Sequence, residues 1–398
     1  MLTEETNYGI THTGPGTPGG EYMRRYWQPV GLSRELTPDG QPRQIRVLSE
    51  DLVLFRDDEG RPGLLGLHCS HRATSLGYGR VEDGGIRCPF HGWLYDVDGH
   101  CLQQPAETPE TTFADKIRHK AYPCREMGGL VFAYMGPRES IPVLPQYEVL
   151  VREDGTRQTS WYRINSNYLQ NVEGAVDAVH FPFLHADSWS TRKQALFDAP
   201  RPDIQLRETD WGVWQKIRQF NPAREELSDH YAHFFMPAGF MRIEERGHQI
   251  LKYQSWYVPI DDTHTARYQA GFAPAAETGV PYPWPEDRGY AQPGPENDYF
   301  RDYANVDTIS GIPGWSAPGT AVKGFLCQDN MVNETQGDIV DRRDEHLSLH
   351  DRPLDLMRSM MLAGIAAVER GDDPLHVLRS QAVGEVIRVT GDDPVECR

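Results

Sequence analysis

The chain of 398 residues is 38% apolar and 25% charged, a composition that can build folded cores over roughly two or three domains. Its 40 Lys and Arg against 58 Asp and Glu give a net charge of −18, which argues against nucleic acid or an anionic membrane surface as the main partner. No apolar run reaches the length of about 18 residues that a membrane span needs. The polar N-terminus also lacks the basic and apolar regions of a secretory signal, so we expect a cytoplasmic protein.

The first third of the chain has the pattern of a small β-domain. Residues 44–135 contain short apolar runs bounded by Gly, Pro and Asp, which predicts a compact all-β module. Its expected closing strand is GGLVFAYMGP, residues 128–137. Prolines cluster directly afterwards, which predicts a domain boundary between residues 140 and 141.

The remainder mixes helical and strand-like patterns. Residues 160–186 have apolar positions at helical spacing, which predicts a helix there. The segments 203–220, 248–260 and 265–275 are typical of strands, and such a run of antiparallel strands predicts one curved sheet.

The C-terminal part contains one long irregular segment and one helical segment. Residues 276–320 are rich in Pro, Gly and acidic residues without periodicity, which indicates a long loop that acts as a lid, forms an oligomer contact or is partly disordered. Residues 351–370 predict a helix that faces the core. Its apolar stripe consists of Leu354, Met357, Met361, Ile365 and Val368.

Two short motifs combine cysteine with histidine. The six cysteines are Cys69, Cys88, Cys101, Cys124, Cys327 and Cys397. The first two belong to Cys69-Ser70-His71 and to the stretch from Cys88 to His91, sixteen residues further on. Two thiolates and two imidazoles could hold a structural zinc ion or a [2Fe–2S] cluster with one iron on each ligand type. The mixed loops inside a β-module favour the cluster, because zinc fingers usually pair Cys with Cys and His with His.

A second set of candidate ligands lies in NYLQNVEGAVDAVHFPFLH, residues 167–185. Glu173, Asp177 and His180 are four and three residues apart, so a continuous helix would place them on one face. The proline at 182 would end that helix and let His185 reach the same centre. Two histidines and a carboxylate form the ligand set of non-haem Fe(II) oxygenases.

The motifs CSHRATSLGYG and CPFHGWLYDVDG, followed by DxxHxxxxH, resemble those of the Rieske ring-hydroxylating oxygenases. The stretches GPGTPGGEYMRRYWQPVGLSREL and DNMVNETQGDIVDRRDEHL are similar to the phthalate 4,5-dioxygenase branch of the oxygenase (alpha) subunits. The resemblance spans nearly the whole chain. It implies an α+β protein with an all-β Rieske domain, residues 1–140 with the cluster core at about 44–135, and a helix-grip catalytic domain, residues 141–398.

The resemblance also implies the roles of individual residues. The cluster ligands would be Cys69, His71, Cys88 and His91. The mononuclear Fe(II) would be bound by His180, His185 and Asp329, with Asp338 and Asp341 as local competitors for the third position. Asp177 would link His180 to the equivalent of His91 on a neighbouring subunit. Many relatives have an asparagine where this chain has Gly174, so its amide would be missing or supplied by Asn167 or Asn171.

The implied function is that of the terminal oxygenase of a multicomponent system. A reductase with flavin and a [2Fe–2S] cluster would supply NAD(P)H electrons, and dioxygen would dihydroxylate or monohydroxylate a small aromatic, carboxylated compound. The alternatives are O-demethylation of a methoxylated aromatic acid, a Rieske electron carrier without oxygenase activity, and a zinc protein. The branch forms homotrimers, and trimers could pair into hexamers. A substrate carboxylate would favour an arginine, and the candidates on the predicted sheet are Arg207, Arg218, Arg242 and Arg246.

Overall fold

A computed structural model of the protein describes most of the chain, and the statements below concern that part. Its ranges are 2–38, 40–108, 110–177, 179–185, 198–221, 226–246, 249–274, 293–306, 313–315, 325–380, 385–388 and 396–397. The α-helices within these ranges are α1 Glu4–Thr11, α2 Pro18–Met23, α3 Glu148–Val151, α4 Tyr168–Val176, α5 Phe181–Leu184, α6 Phe325–Glu334 and α7 Arg352–Glu369. None of them is long and apolar enough to cross a membrane.

Eleven short strands form three antiparallel sheets in the N-terminal part, as the sequence predicted for an all-β module. The sheet orders are β1-β11-β10, β2-β3-β4-β9 and β5-β6-β7-β8. The strand bounds are β1 Trp27–Leu32, β2 Arg43–Val47, β3 Glu50–Arg56, β4 Pro62–Gly66, β5 Arg80–Glu82, β6 Gly85–Arg87, β7 Leu94–Asp96, β8 Cys101–Gln103, β9 Ala121–Tyr122, β10 Cys124–Met127 and β11 Leu130–Tyr134. The predicted closing strand is therefore confirmed as β11, and it pairs with both β1 and β10.

A larger sheet of seven strands follows, and it confirms the predicted run of antiparallel strands. Its order is β12-β18-β17-β16-β15-β14-β13, so six strands form a meander and β12 closes one edge. The bounds are β12 Gly155–Ile164, β13 Asp203–Thr209, β14 Gly212–Asn221, β15 Glu226–Phe235, β16 Gly239–Arg246, β17 Gln249–Asp261 and β18 His264–Pro274. The segment 203–220 is a hairpin of two strands, because Asp210 and Trp211 form a turn between β13 and β14.

The two faces of this sheet have different partners. Side chains alternate between the faces along each strand. On one face Trp256 packs edge-on against Phe132 of β11, with ring centroids 5.7 Å apart, so this face covers the N-terminal sheets. On the other face Asn171 of α4 donates a hydrogen bond to Thr265 of β18 at 3.2 Å. The helix α4 therefore crosses the face that points away from the N-terminal sheets.

The predicted helix over residues 160–186 is wrong in its bounds. Residues 160–164 belong to β12, and the helical part is divided into α4 and α5. The helix α4 begins where the Asn167 side chain accepts a hydrogen bond from the Leu169 amide, which caps its first turn. It ends at Val176, and Pro182 lies in the first turn of α5, where proline is tolerated.

The predicted C-terminal helix is confirmed as α7, Arg352–Glu369. Four members of its stripe are buried and Leu354 is half-buried. The predicted loop over 276–320 lies mainly outside the described residues. Its described parts are a 3₁₀ segment, Pro295–Phe300, and the paired strands β19 Arg301–Val306 and β20 Pro313–Trp315. A last pair, β21 Ile387–Arg388 and β22 Glu396–Cys397, lies near the C-terminus.

Candidate metal centres

The first candidate centre is formed by two tight loops that follow β4 and β6. The amide of Ala73 donates to the Cys69 carbonyl at 2.9 Å, and the amide of Gly92 donates to the Cys88 carbonyl at 3.1 Å. Ala73 and Gly92 both have positive φ, 57° and 74°, which lets each loop turn back on itself. Each loop thereby presents one cysteine and one histidine.

The four side chains of these loops form two pairs. The thiols of Cys69 and Cys88 are buried and interact directly with each other. The rings of His71 and His91 meet edge to face, with centroids 4.5 Å apart. Within the described chain, no three of these four donors lie within 4.8 Å of one another. Two separated ligand pairs fit a two-iron cluster better than a single tetrahedral zinc ion.

An unpartnered nitrogen gives a second test of that fit. Among the described residues, the buried Nδ1 of His91 has no hydrogen-bond partner, which is the state expected of a ligand atom. The indole of Trp93 stacks on His71 with an interplanar angle of 6° and fixes the plane of that imidazole. The hydroxyl of Tyr95 lies 3.2 Å from the Cys69 sulfur. The pocket therefore fits a [2Fe–2S] cluster.

The second candidate centre brings together residues that are 149 positions apart in the chain. The nearest donor atoms of His180, His185 and Asp329 all lie within 4.8 Å of one another. Asp329 Oδ1 is 3.2 Å from His185 Nε2 and 3.8 Å from His180 Nε2. Ligands on adjacent positions of a small metal ion, each at about 2.1 Å, would be about 3 Å apart. Two imidazoles and one carboxylate at this spacing fit a ferrous ion with open coordination positions.

The turn between α4 and α5 sets the position of the histidines. Asp177 is the C-terminal cap of α4, and its carboxylate accepts a hydrogen bond from the Val179 amide at 2.7 Å. The other carboxylate oxygen of Asp177 lies 3.6 Å from His180 Nδ1. His180 and His185 then occupy the two ends of α5. The expectation that Glu173, Asp177 and His180 share one helix face is wrong, since the helix ends before Asp177.

Glu173 lies in a buried ion-pair network and not at the metal donors. Its carboxylate accepts hydrogen bonds from Arg342 Nη2 at 2.8 Å and from Arg358 Nε at 2.7 Å. Arg358 also pairs with Glu345. Desolvation alone would raise the pKa of Glu173, but the two guanidinium groups hold it below its ordinary value. This network ties α4 to α7 and to the segment that follows α6.

The two asparagines that were expected to supply an amide near the metal have other partners. The amides of Asn167 and Asn171 are used by the fold, because they donate to the Thr11 carbonyl and to Ser166 Oγ, respectively. At Gly174 an added Cβ would lie 3.1 Å from the amide oxygen of Asn333. A side chain at position 174 would therefore be in tight contact with a residue of α6, which would have to shift by a few tenths of an ångström.

Sequence reasoning missed Gln328, which holds His185. Gln328 Oε1 accepts a hydrogen bond from His185 Nδ1 at 2.6 Å, and both side chains are fully buried. This contact selects the tautomer whose Nε2 lone pair faces Asp329. The signal in the sequence was the Gln directly before the predicted aspartate. The competitors Asp338 and Asp341 lie elsewhere: both are exposed, and Asp341 pairs with Arg343.

Neighbouring charges keep the second centre ionised. Burial would raise the pKa of Asp329, but the nearby histidines and Arg267 lower it overall. Burial would lower the pKa of His180, but Asp177 and Asp329 raise it overall. The site therefore favours a carboxylate anion next to imidazoles, the arrangement in which a divalent cation replaces a proton.

Of the four arginines predicted for the pocket, one reaches this centre. Arg242 lies over the ring of Phe181, 4.7 Å from its centroid, and its charge acts on His180. Arg207 and Arg218 are exposed. The side chain of Arg246 lies outside the described part of the chain.

The chain combines an all-β unit that has paired Cys/His loops with a sheet whose helices bring together two histidines and an aspartate. This combination defines a Rieske-type non-haem iron oxygenase. The family model of the Rieske [2Fe-2S] domain matches residues 26–123. The 5,5'-dehydrodivanillate O-demethylase oxygenase subunit of Sphingobium sp. (strain NBRC 103272 / SYK-6) is 33% identical over 97% of this chain and 86% of its own length. The phthalate 4,5-dioxygenase oxygenase subunit of Pseudomonas putida is also 33% identical, over 94% and 89%.

This chain belongs to the Rieske non-haem iron oxygenases as an oxygenase subunit, which confirms the resemblance found in its sequence. The crystal structure of dicamba monooxygenase bound to dicamba shares the fold, with a TM-score of 0.65 at 16% identity over 87% of this chain and 99% of that one. The chain carries a Rieske [2Fe–2S] domain, and oxygenases of this family use a mononuclear iron in the catalytic domain. An oxygenase subunit receives its electrons from separate electron-transfer proteins.

Proposed function

We propose that this chain oxidises an aromatic carboxylate at the centre formed by His180, His185 and Asp329. The observation that carries the proposal is the convergence of these three donors at 3.2–3.8 Å beside a guanidinium group, Arg242. A charged guanidinium over the aromatic ring of Phe181 favours a ring that bears an acidic group. The two relatives described above act on dehydrodivanillate and phthalate, which supports this substrate class.

The roles of the residues follow from their contacts. Cys69, His71, Cys88 and His91 hold the Rieske cluster, and His180, His185 and Asp329 hold the iron. When bound, the cluster delivers single electrons and the ferrous iron activates dioxygen. Asp177 orients the His180 ring through Nδ1 and so keeps Nε2 directed at the metal. Gln328 does the same for His185.

Electron delivery between subunits is supported by the surface of the cluster loops. His71 is exposed, His91 is half-buried, and the adjacent Phe90 is 54% exposed. The histidine side of the cluster pocket therefore lies at the surface of this chain. We propose a head-to-tail homotrimer in which His91 contacts Asp177 of the next copy, with a flavin and [2Fe–2S] reductase as the electron source. In a closed ring of three subunits, each Rieske cluster has the iron site of one neighbouring subunit as its electron acceptor.

The first experiment measures iron, labile sulfide and turnover of anaerobically purified protein. About three irons and two sulfides per chain are expected, from one cluster and one mononuclear site. The substrates are benzoate, phthalate and 3-methoxybenzoate, with a surrogate reductase and NADH. Product analysis for a diol or phenol tests hydroxylation. A chain that keeps two irons and two sulfides after Fe(II) is added, and forms no product, would be an electron carrier instead.

O-demethylation is the second candidate activity. It is favoured by the 33% identity to the O-demethylase subunit over 97% of this chain. Formaldehyde released from 3-methoxybenzoate in step with NADH consumption would identify it. A ring-hydroxylated product that retains the methoxy group would contradict it.

A further inference from the structure

The sheet face that α4 crosses carries a second guanidinium group, Arg267, which was not among the arginines predicted from the sequence. Arg267 lies on β18, and its charge acts on Asp329. The register places it two residues beyond Thr265, on the face that contacts α4. Arg267 therefore belongs to the wall of the catalytic site and not to the face that covers the Rieske domain.

The described neighbours that bond to Arg267 are neutral. Nη1 donates to the Tyr162 hydroxyl at 2.7 Å, while Nε and Nη2 donate to Ser255 Oγ at 3.4 and 3.3 Å. The rings of Tyr162 and Tyr257 flank the guanidinium, with centroids 5.7 and 5.2 Å from Cζ. Within the described chain, this group donates hydrogen bonds but forms no salt bridge with a carboxylate.

The N–H groups of Arg267 exceed the acceptors that the described residues offer, which leaves two donors for a ligand. A guanidinium has five N–H groups, and three of those of Arg267 are used by Tyr162 and Ser255. One N–H on each terminal nitrogen remains, and a carboxylate accepts from two such donors at once. Arg267 is half-buried, whereas its neighbours Ser255 and Tyr257 are buried.

The balance of charge points to an anion. The described carboxylate whose charge acts on Arg267 is that of Asp329, and a divalent metal ion held by Asp329 would more than neutralise it. The site would then have excess positive charge, which an anionic ligand would balance. We propose that Arg267 is the anchor for the carboxylate of the aromatic substrate, with Tyr162 and Ser255 as the residues that orient the guanidinium.

This inference rests on the proposed function, and the test compares an acid with its neutral isostere. The probes are 3-methoxybenzoate and 3-methoxybenzamide, titrated calorimetrically into reduced, iron-replete protein under anaerobic conditions. The variants are Arg267→Gln and Arg267→Lys. The control is Arg207→Gln, which removes an exposed arginine over Trp214 on the outer edge strand β13. Iron content and the visible spectrum of the cluster are measured for every variant.

The expected result is a selective loss. Removal of a charge-assisted, two-point contact should weaken binding of the acid roughly 10- to 100-fold and leave the amide nearly unchanged. Arg267→Lys should recover part of the affinity because it keeps the charge but not the planar fork. Arg207→Gln should bind both probes as the wild type does.

Four results would overturn the inference. Equal weakening of acid and amide with full iron content would make Arg267 a general packing residue. Loss of iron in both Arg267 variants would assign Arg267 to the metal centre. If acid and amide bind the wild type equally while 3-methoxybenzoate is still turned over, the oxygenase function stands and the anchor fails. If the iron-replete wild type neither binds nor oxidises any of the acids, the proposed substrate class fails together with the anchor.

Discussion

Gln328 offers a direct test of how the protein prepares the iron site. Its side chain accepts the His185 Nδ1 proton at 2.6 Å in a buried position, so Gln328→Ala leaves that N–H without a partner. The imidazole can then rotate or change tautomer, and either movement takes Nε2 away from Asp329. Loss of a contact that orients a ligand typically weakens metal binding about 10- to 100-fold, or roughly 1.4–2.7 kcal/mol.

The assay is an anaerobic Fe(II) titration in competition with a coloured chelator. The mononuclear iron is removed first, and the visible spectrum of the Rieske cluster serves as an internal check that the fold is intact. Gln328→Glu should bind Fe(II) nearly as well as the wild type, because a carboxylate oxygen also accepts the Nδ1 proton. Gln254→Ala is the matched control, since it truncates an equally buried glutamine on the opposite face of the sheet.

Two results would refute the reasoning. If Gln328→Ala binds Fe(II) within about twofold of the wild type, well below the expected 10-fold loss, the hydrogen bond does not orient His185. If Gln254→Ala loses as much affinity, the effect reflects general loosening of the domain. If Gln328→Glu restores Fe(II) affinity, the loss in Gln328→Ala is due to the missing hydrogen-bond acceptor and not to a packing defect.

Three further predictions concern other parts of the molecule. Glu173→Gln should lower the free energy of unfolding by about 3–5 kcal/mol in chemical denaturation, because it removes the buried carboxylate that pairs with Arg342 and Arg358 and leaves Arg342 without a carboxylate partner in the described chain. Arg343→Gln, at an exposed pair, should change it by less than about 1 kcal/mol. Since the pKa of Glu173 is lowered in the folded state, its contribution to stability is complete above the unfolded pKa and is lost as pH falls through the folded pKa. The free energies of unfolding of the wild type and Glu173→Gln should therefore converge in acid. Tyr95→Phe removes a polar contact to the Cys69 sulfur and should lower the cluster's reduction potential by roughly 20–60 mV in a spectroelectrochemical titration. Asp329→Asn should remove one iron per chain in metal analysis and leave labile sulfide unchanged; full retention of iron would exclude Asp329 as a ligand.

The motifs predicted which residues converge, but not the backbone that brings them together. A run of antiparallel strands followed from strand-like segments and turn signals, and the structure confirms it, but the place of β12 at the edge beside β18 was not predicted. The helix over 160–186 failed because local hydrogen bonds competed with helical ones. Asn167 starts α4 by capping it, and Asp177 ends it by accepting the Val179 amide. Whether such side chains bond to the backbone and so begin or end a helix depends on their geometry. The spacing of apolar residues carries no information about that geometry.

Arg267 was missed for a different reason. Along β18 the polar residues Thr265, Arg267 and Gln269 alternate with Ala266 and Tyr268, a pattern that usually indicates one face in water. In this fold the polar face is covered by helices and forms the site. A sequence shows the alternation but not which side of the sheet receives the helices. Only the register of β17 with β18 places Arg267 on the side of Asp329.

The candidate iron site is held by parts of the chain that contribute no donor to it. His180 and His185 stand at the ends of a four-residue helix, which is too short to fix them by itself. Their position depends on α4, and α4 is fixed by the pairing of Glu173 with Arg342 and Arg358 of the C-terminal region. A buried carboxylate between two guanidiniums tolerates little displacement, because any separation exposes unpaired charge to an apolar interior. The geometry at the iron is therefore set as much by the packing of α7 as by the motif that carries the histidines.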